Sequence, residues 1–547
     1  MKRLDSLVDS CAQIFSKNGR FSTAIPGFIA REPQSELAQA IAQTILDKTV
    51  LVAEAGTGTG KTFAYLVPAL LSKKKTLIST ATKTLQDQLF QKDLPLLIKA
   101  LGLSVRIQNL KGRANYICHY RVGLHAEESQ FQKEECAHEI HHIKSKLSQM
   151  QTGERSELVE IAEDSPVWHY ATSTADNCLG QECPNLEDCF LVKARKRAMD
   201  ADVVVINHHL FFADSRLKQV GFGELLPQFE AVIFDEAHQL AEIATHFNGQ
   251  HLGTRQFCEL VDDMLLEWPS LDLINQPLKA LRHKITLLMD ELLLLLCAKE
   301  ERIRWESLTT NPLFNRIWQE WLALKNELIQ CFNEDNTREK PALLRCKERL
   351  LEQISILLSF NQDVVVNILW VERFKHTVIF HATPYDISDY FSKLLTQDCA
   401  YIFTSATLTM TSSFEYFCKP LGLENVSTVL LPSPFNFEEQ ALLYLPRGLP
   451  DPKDSLYNEL LLERMLPLIE ACGGRCFFLF TSHKALKQVA QMLPNKLKYP
   501  LLIQGDEAKP ILLARFRQLG NAVLLGTATF WEGVDVKGEA LSCVIID

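Results

Sequence analysis

The sequence predicts an α/β protein built on parallel sheets, and three stretches carry that prediction. Thr49 to Ala53 is a short apolar run of β type that enters a glycine-rich loop and then an apolar helix from Phe63 to Leu71. Phe229 to His238, FEAVIFDEAH, is an apolar strand ending in two carboxylates. Near the other end, CFFLFTS, YPLLIQG, NAVLLGT and SCVIID alternate with helix-like stretches. Short apolar strands alternating with helices are the pattern of an α/β sheet.

At 547 residues the chain is long for one core, and ordinary domain sizes imply about three or four domains. Hydrophobic residues make up 47% and charged residues 23%, an ordinary globular composition. The formal charge is -10, from 57 Lys+Arg against 67 Asp+Glu. Contact with nucleic acid therefore requires a local basic groove and not a globally basic surface. The first residues, MKRLDSLVDSCAQIF, are interrupted by Asp5, Asp9 and Ser10 and lack the apolar core of a secretory signal. The most apolar run, Ile285 to Ala298, carries Asp290 and Glu291 and is too short to span a bilayer. It reads as a helix buried against other helices. The expectation is a cytoplasmic protein with no membrane contact. In a reducing compartment the 15 cysteines argue against a disulfide framework and leave metal binding, catalysis or packing for each thiol.

The glycine-rich loop runs Ala55, Gly56, Thr57, Gly58, Thr59, Gly60, Lys61, Thr62, with alanine where the first glycine of a phosphate-binding loop usually stands. Small residues let successive backbone N–H groups curl around phosphates at a helix N-terminus. Lys61 is expected to reach the β and γ phosphates and the Thr62 hydroxyl to take Mg2+. Asp235 and Glu236, at the end of the FEAVIFDEAH strand, supply the matching carboxylates. In phosphoryl transfer one holds Mg2+ and the next orients or deprotonates the attacking water. Capping of the following helix explains either motif alone, but not both.

Read together, DEAH and several ordered segments resemble a superfamily 2 helicase. Gln34 in REPQSELAQA resembles the glutamine that reads adenine, and His238 belongs with the nucleotide site. STATKTLQDQL, with Thr80 and Thr82, resembles the first motif that grips a nucleic-acid strand. TSATLT, with Ser405 and Thr407, is similar to the motif that couples the nucleotide site to the nucleic-acid track. LFTSHKAL and GTATFWEGVDV resemble motifs of a second RecA-like domain. There Trp531 is expected to touch DNA, with Glu532 and Asp535 connecting nucleotide state to grip.

Between the strand-gripping motif and DEAH lie four thiols, Cys118, Cys178, Cys183 and Cys189, three of them inside NCLGQECPNLEDC. Gaps of this kind suit Zn2+ or an iron-sulfur cluster, and spacing favours the cluster only mildly. Cys136 rivals Cys118 as the first ligand. It sits in KEECAHEIHH, which looks like a solvated helix, where His138, His141 and His142 read more simply as exposed residues than as metal ligands. Cys258, Cys297 and Cys472 read as packing residues.

A four-cysteine insertion at this position resembles the XPD-like iron-sulfur helicases, and within them the bacterial YoaA/DinG branch. That resemblance implies a [4Fe-4S] cluster on Cys118, Cys178, Cys183 and Cys189. It tilts the basic run Lys193, Arg195, Lys196 and Arg197, which otherwise reads as a solvated face, toward contact with DNA. It also implies the rest of an expected mechanism. ATP and Mg2+ bind between two RecA-like domains, the closing domains grip single-stranded or forked DNA, and translocation runs 5'-to-3'. The setting is repair or replication, in a bacterial, nucleoid-associated monomer that meets replisome or repair partners.

The expected layout is two RecA-like parallel-sheet domains, the second incomplete, with an iron-sulfur domain and a helical arch domain inserted in the first. The boundaries are 1–105, 201–246 and 378–434 for the first RecA-like domain, 106–200 for the iron-sulfur domain, 247–377 for the arch, and 435–547 for the second RecA-like domain. Leu, Trp, Glu and Lys recur at helical spacing through the arch segment, and Trp318 with Trp321 falls on a packing face. VIFHATPYD, Val378 to Asp386, is expected to return the chain to the first RecA-like domain.

One departure stands out. The chain stops at Asp547 inside an apparent strand, and no string like QxxGRxxR occurs. Arginines of that motif contribute several orders of magnitude to phosphoryl transfer, so a truncated chain that binds ATP and hydrolyses it poorly is the expectation. Two other classes are weighed. A nucleotide-gated DNA clamp with structural Zn2+ would lack iron. A P-loop ATPase acting on protein would need a signature motif that is absent from the string. RNA as substrate stays open, since the sequence shows no reader of the 2'-OH.

Overall fold

The computed structural model describes residues 6–126, 134–162, 165–220, 226–267, 272–296, 302–332, 341–361, 367–494, 496–507, 509–531, 534, 536 and 538–547. The chain divides into two compact units, Met1–Pro434 and Phe435–Asp547.

The first unit is built on a seven-stranded sheet. Its strands are β1 (Val50–Ala55), β2 (Thr76–Thr80), β3 (Ile107–Asn109), β4 (Val203–Asn207), β5 (Ala231–Asp235), β10 (Ala400–Ser405) and β11 (Ser427–Leu431). They lie in the order β11-β1-β10-β5-β2-β4-β3, and every pairing is parallel. The central strands β2, β5 and β10 are buried at every position. That is why they read as unbroken apolar runs and not as alternation. Successive residues feed two cores. Leu51, Ile78, Val205, Ile233 and Ile402 face one side, and Val52, Leu77, Val204, Phe234 and Phe403 face the other. Phe234 and Phe403 stack at 5.1 Å across neighbouring strands.

Strands β1, β10 and β5 are neighbours, so their C-terminal ends converge. In an open parallel sheet that edge is where ligands bind, and it carries the glycine-rich loop, the TSATLT loop and the DEAH carboxylates.

The segment between DEAH and β10 is helical but not wholly so. Helices Thr254–Glu267, Asp272–Leu295, Pro312–Gln330 and Pro341–Ser359 enclose an aromatic core containing Trp305, Phe314, Trp318, Trp321, Phe360 and Phe380. Trp318 and Trp321 are both buried, which gives them the packing role expected of that face. Against this core lies an antiparallel sheet of β6 (Gln250–Gly253), β7 (Arg302–Arg304), β8 (Asn367–Arg373) and β9 (Val378–Pro384), ordered β6-β9-β8-β7. This corrects two expectations. The insertion contains a sheet, and VIFHATPYD forms β9 of that sheet and does not rejoin the central one. Its burial alternates along the strand, the mark of a sheet with one face on a core, whereas β10 is buried throughout.

The second unit holds a parallel sheet of β12 (Cys476–Leu479), β13 (Leu501–Ile503), β14 (Val523–Gly526) and β15 (Cys543–Ile546), in the order β13-β14-β12-β15. These are the four apolar runs that predicted it. Parallel register joins β12 to β14 and β15, and β13 to β14. No helix among the described residues is long and apolar enough to cross a membrane.

Candidate functional site

The phosphate loop joins β1 to the helix Lys61–Leu71. Ala55 explains the departure at the first position. It is still the last residue of β1 and has no positive φ, so a Cβ is tolerated there. Gly60 is different. It caps the helix with φ of 83°, where side chains are strained, and a Cβ would run into the Gln34 amide. Thr59 Oγ1 donates to the Gly56 carbonyl at 2.8 Å and tightens the loop.

Lys61 and Glu236 meet across this edge. Their charged atoms are 3.5 Å apart. Glu236 adopts the left-handed conformation, φ 54° and ψ 46°, a strain of about 1–3 kcal/mol that tends to persist where function requires it. Ser405 Oγ donates to Glu236 Oε2 at 3.2 Å and lies 2.9 Å from His238 Nδ1. Thr407, one residue beyond the strand-end bend, is exposed, and its N–H approaches Ser405 Oγ at 3.4 Å.

Asp235 is buried. Burial and the neighbouring Glu236 charge raise its carboxyl to about 6, while Lys61 and a hydrogen bond from Tyr65 oppose the rise. Tyr65 OH donates to Asp235 Oδ2 at 3.0 Å, and Thr62 is among the groups that act on the Tyr65 hydroxyl. Tyr65 thus holds Asp235, one of the two residues expected to take Mg2+, from the helix that also carries Thr62. Tyr65 escaped the sequence reading, although its i+4 spacing from Lys61 puts it on the same helix face.

Gln34 is buried in the helix Glu32–Asp47 and donates through Nε2 to the Gly60 carbonyl at 2.9 Å. Its Oε1 is buried with no partner, an orphan acceptor of the kind that an adenine amine satisfies.

The strand-gripping residues fare unevenly. Thr80 is fully buried on β2, so its side chain cannot meet a nucleic-acid strand, which corrects the expectation for it. Thr82 caps the helix Lys83–Gln88 by accepting from Leu85 N–H at 3.2 Å. In the second unit Trp531 is 44% exposed. Glu532 and Asp535 lie outside the described residues.

The four thiols gather in the first unit. Burial is the main cause of the raised Cys118 thiol, and the charges of Cys178, Cys183 and Cys189 add to it. Cys183 in turn feels Cys178 and Cys189. All four are partly buried. Among the described residues no three His, Cys, Asp or Glu side chains stand close enough to hold a metal ion as they are. Cys136 is not on a solvated face. It is 3% exposed in the helix Glu134–Lys146. His138 and His141 are exposed, and His142 pairs with Glu160 at 2.7 Å. Cys258 is buried, Cys472 only partly so, and Cys297 lies outside the described residues.

On the helix Phe190–Asp200, Lys196 and Arg197 are exposed and Lys193 pairs with Asp188 at 3.2 Å. Arg195 departs from the solvated run. Burial first, and Arg113 next, lower its guanidinium to about 10, against the charges of Cys178 and Cys189. Arg195 is half-buried, next to the face that carries Ala194 and Ala198 into the core.

Comparison with known proteins agrees with this geometry. A DEAD/DEAH box helicase family profile matches residues 35–122, and a helicase C-terminal domain profile matches residues 465–547. The ATP-dependent DNA helicase YoaA of Haemophilus influenzae is 41% identical over 98% of this chain and 84% of its own length. YoaA of Escherichia coli is 40% identical over 97% and 84%. The ATP-dependent helicase DinG of Mycobacterium tuberculosis is 28% identical over 96% and 82%. A solved XPD helicase shares the fold with a TM-score of 0.52 at 17% identity, covering 94% of this chain and 84% of that one. Likeness of this extent to YoaA, on a chain whose DEAH glutamate faces its phosphate-loop lysine, places the protein in the YoaA family of ATP-dependent DNA helicases, within the XPD-like YoaA/DinG branch.

Proposed function

We propose that the chain binds MgATP on the β1-β10-β5 edge and uses its hydrolysis to translocate on single-stranded DNA, 5'-to-3', unwinding duplex in repair or replication. The observation that carries this reading is the contact of Glu236 with Lys61 and Ser405. It sets a candidate base, a phosphate-binding cation and the start of the TSATLT loop within one network. Lys61 neutralises phosphate charge, Thr62 and Asp235 hold Mg2+, and Glu236 orients the attacking water and takes its proton. Gln34 accepts from adenine. Lys196, Arg197 and Trp531 are the exposed candidates for DNA contact, through phosphates and base stacking respectively. ATP hydrolysis by the full-length protein, with and without single-stranded DNA, tests the reading directly. Stimulation by DNA is expected, and equal rates in both conditions would refute it.

The four cysteines Cys118, Cys178, Cys183 and Cys189 would hold the [4Fe-4S] cluster that likeness to the XPD-like helicases suggests. A cube of iron and sulfide takes one thiolate at each of four corners, which these four cysteines match in number. Held by these four residues, a cluster would tie the loop Cys178–Cys189 to Cys118. Cys178→Ser should lower bound iron well below the roughly four per chain of an intact cluster, while Cys136→Ser should keep it. Iron counts on anaerobically purified protein decide, and iron kept in Cys178→Ser or lost in Cys136→Ser would point to Cys136 as a ligand.

A further inference from the structure

Glu54 interrupts the apolar strand β1, VLVAEA, with a carboxylate directly before the phosphate loop. A charge inside a buried strand requires compensation. Here it comes from the TSATLT loop. Glu54 Oε2 accepts the N–H of Leu408 at 2.5 Å and of Thr409 at 2.6 Å. Both bonds are short and charge-assisted, the stronger class. Glu54 is also the register partner of Ser405 on β10, and Ser405 is the residue whose hydroxyl meets Glu236 and His238.

The loop that leaves β10 is thus pinned twice. At Ser405 it is tied to the DEAH carboxylate and histidine. Three and four residues later it is tied to the strand that delivers the phosphate loop.

We propose that Glu54 is a positioning residue of the ATPase. It fixes residues 406–409 so that Ser405 bridges Glu236 and His238, and it makes the phosphate loop and the TSATLT loop move as one body. Glu54 acts through Ser405 and touches no reacting atom. The inference rests on the reading of the chain as a DNA-stimulated ATPase.

The test uses the full-length protein and compares the parent with Glu54→Ala and Glu54→Gln, following ATP hydrolysis against ATP concentration with an oligothymidylate present. Glu54→Ala should lower the DNA-stimulated kcat on the order of 10- to 100-fold, the usual cost of a misplaced catalytic group, while KM for ATP stays within about threefold. Glu54→Gln keeps an acceptor oxygen and should recover most of the rate. Hydrogen exchange across residues 406–410 should rise in the alanine variant and return to the parental rate in the glutamine variant. Parental kcat in Glu54→Ala overturns the proposal, and so does a glutamine variant as impaired as alanine. A rise in KM with kcat unchanged also overturns it, since that would assign Glu54 to nucleotide binding. A parent that ignores DNA would instead refute the ATPase reading itself.

Discussion

Glu236→Gln should reduce ATP turnover by about 10²- to 10⁴-fold, the contribution usual for a positioned general base, with nucleotide still bound. The substitution conserves shape. A glutamine at 236 still accepts from Ser405, which donates to the present Oε2 at 3.2 Å, so the TSATLT loop keeps its tether. What disappears is the ability to take a proton, together with the charge that faces Lys61 at 3.5 Å. Freed of that partner, Lys61 is more available to phosphate, so ATP affinity should hold or rise. The measurement pairs kcat with the dissociation constant of a fluorescent nucleotide in the full-length protein. A variant that turns over at the parental rate would show that Glu236 is not the base. One that loses nucleotide binding would show instead that its charge builds the loop. Lys61→Ala separates the two roles, because it should weaken binding as well as turnover.

How much of this was legible in the sequence depends on whether the information is local. The phosphate loop, DEAH and TSATLT could be read because each is a strand end followed by a turn, and their meeting follows from β1, β10 and β5 being neighbours in one parallel sheet. The carboxylate of Glu54 was on view in VLVAEA, but its partners are backbone groups 354 and 355 residues away, which no spacing reveals. Thr80 misled because its neighbours in STATKT resemble a gripping motif, while its own place as the last residue of β2 points the side chain into the core. Arg195 differs from its neighbours in a way the string hides. A basic run looks uniform as a string, yet Arg195 is half-buried where Lys196 and Arg197 are exposed. The strand β9 was visible as a strand, but its sheet was not, since pairing partners lie outside the local pattern. Register between β9 and β8 is a property of the folded insertion alone.

Removing the carboxylate of Asp263 should destabilise the first unit by about 3–5 kcal/mol, the cost of leaving a buried charge uncompensated. Asp263, 14% exposed, receives Arg121 at 2.8 Å and Arg349 at 2.6 Å, each 5% exposed. The three come from helices His119–Ala126, Thr254–Glu267 and Pro341–Ser359. One carboxylate therefore ties the segment that follows Cys118 to two helices of the insertion. Two buried guanidiniums on one anion leave a net positive charge inside, so Asp263→Ala would expose both arginines to mutual repulsion with no counter-ion. Burial pushes the Asp263 carboxyl up, but Arg121 and Arg349 outweigh it and hold the group below the ordinary carboxylate range. The sign follows. A carboxyl with a depressed folded pKa contributes stability at pH above its unfolded value of about 3.9 and loses it as pH falls through the lower folded value. Thermal unfolding from pH 7 to pH 3 should show the parent and Asp263→Ala converging at the acid end. Equal stability of the two at pH 7 would refute the ionic tie. Replacing all three residues by apolar ones of similar volume, Arg121→Met with Asp263→Leu and Arg349→Met, should restore much of the loss, because an intact buried ion cluster carries its own desolvation cost. If the triple variant were as unstable as Asp263→Ala, packing around the cluster and not its charge balance would be what the carboxylate secures.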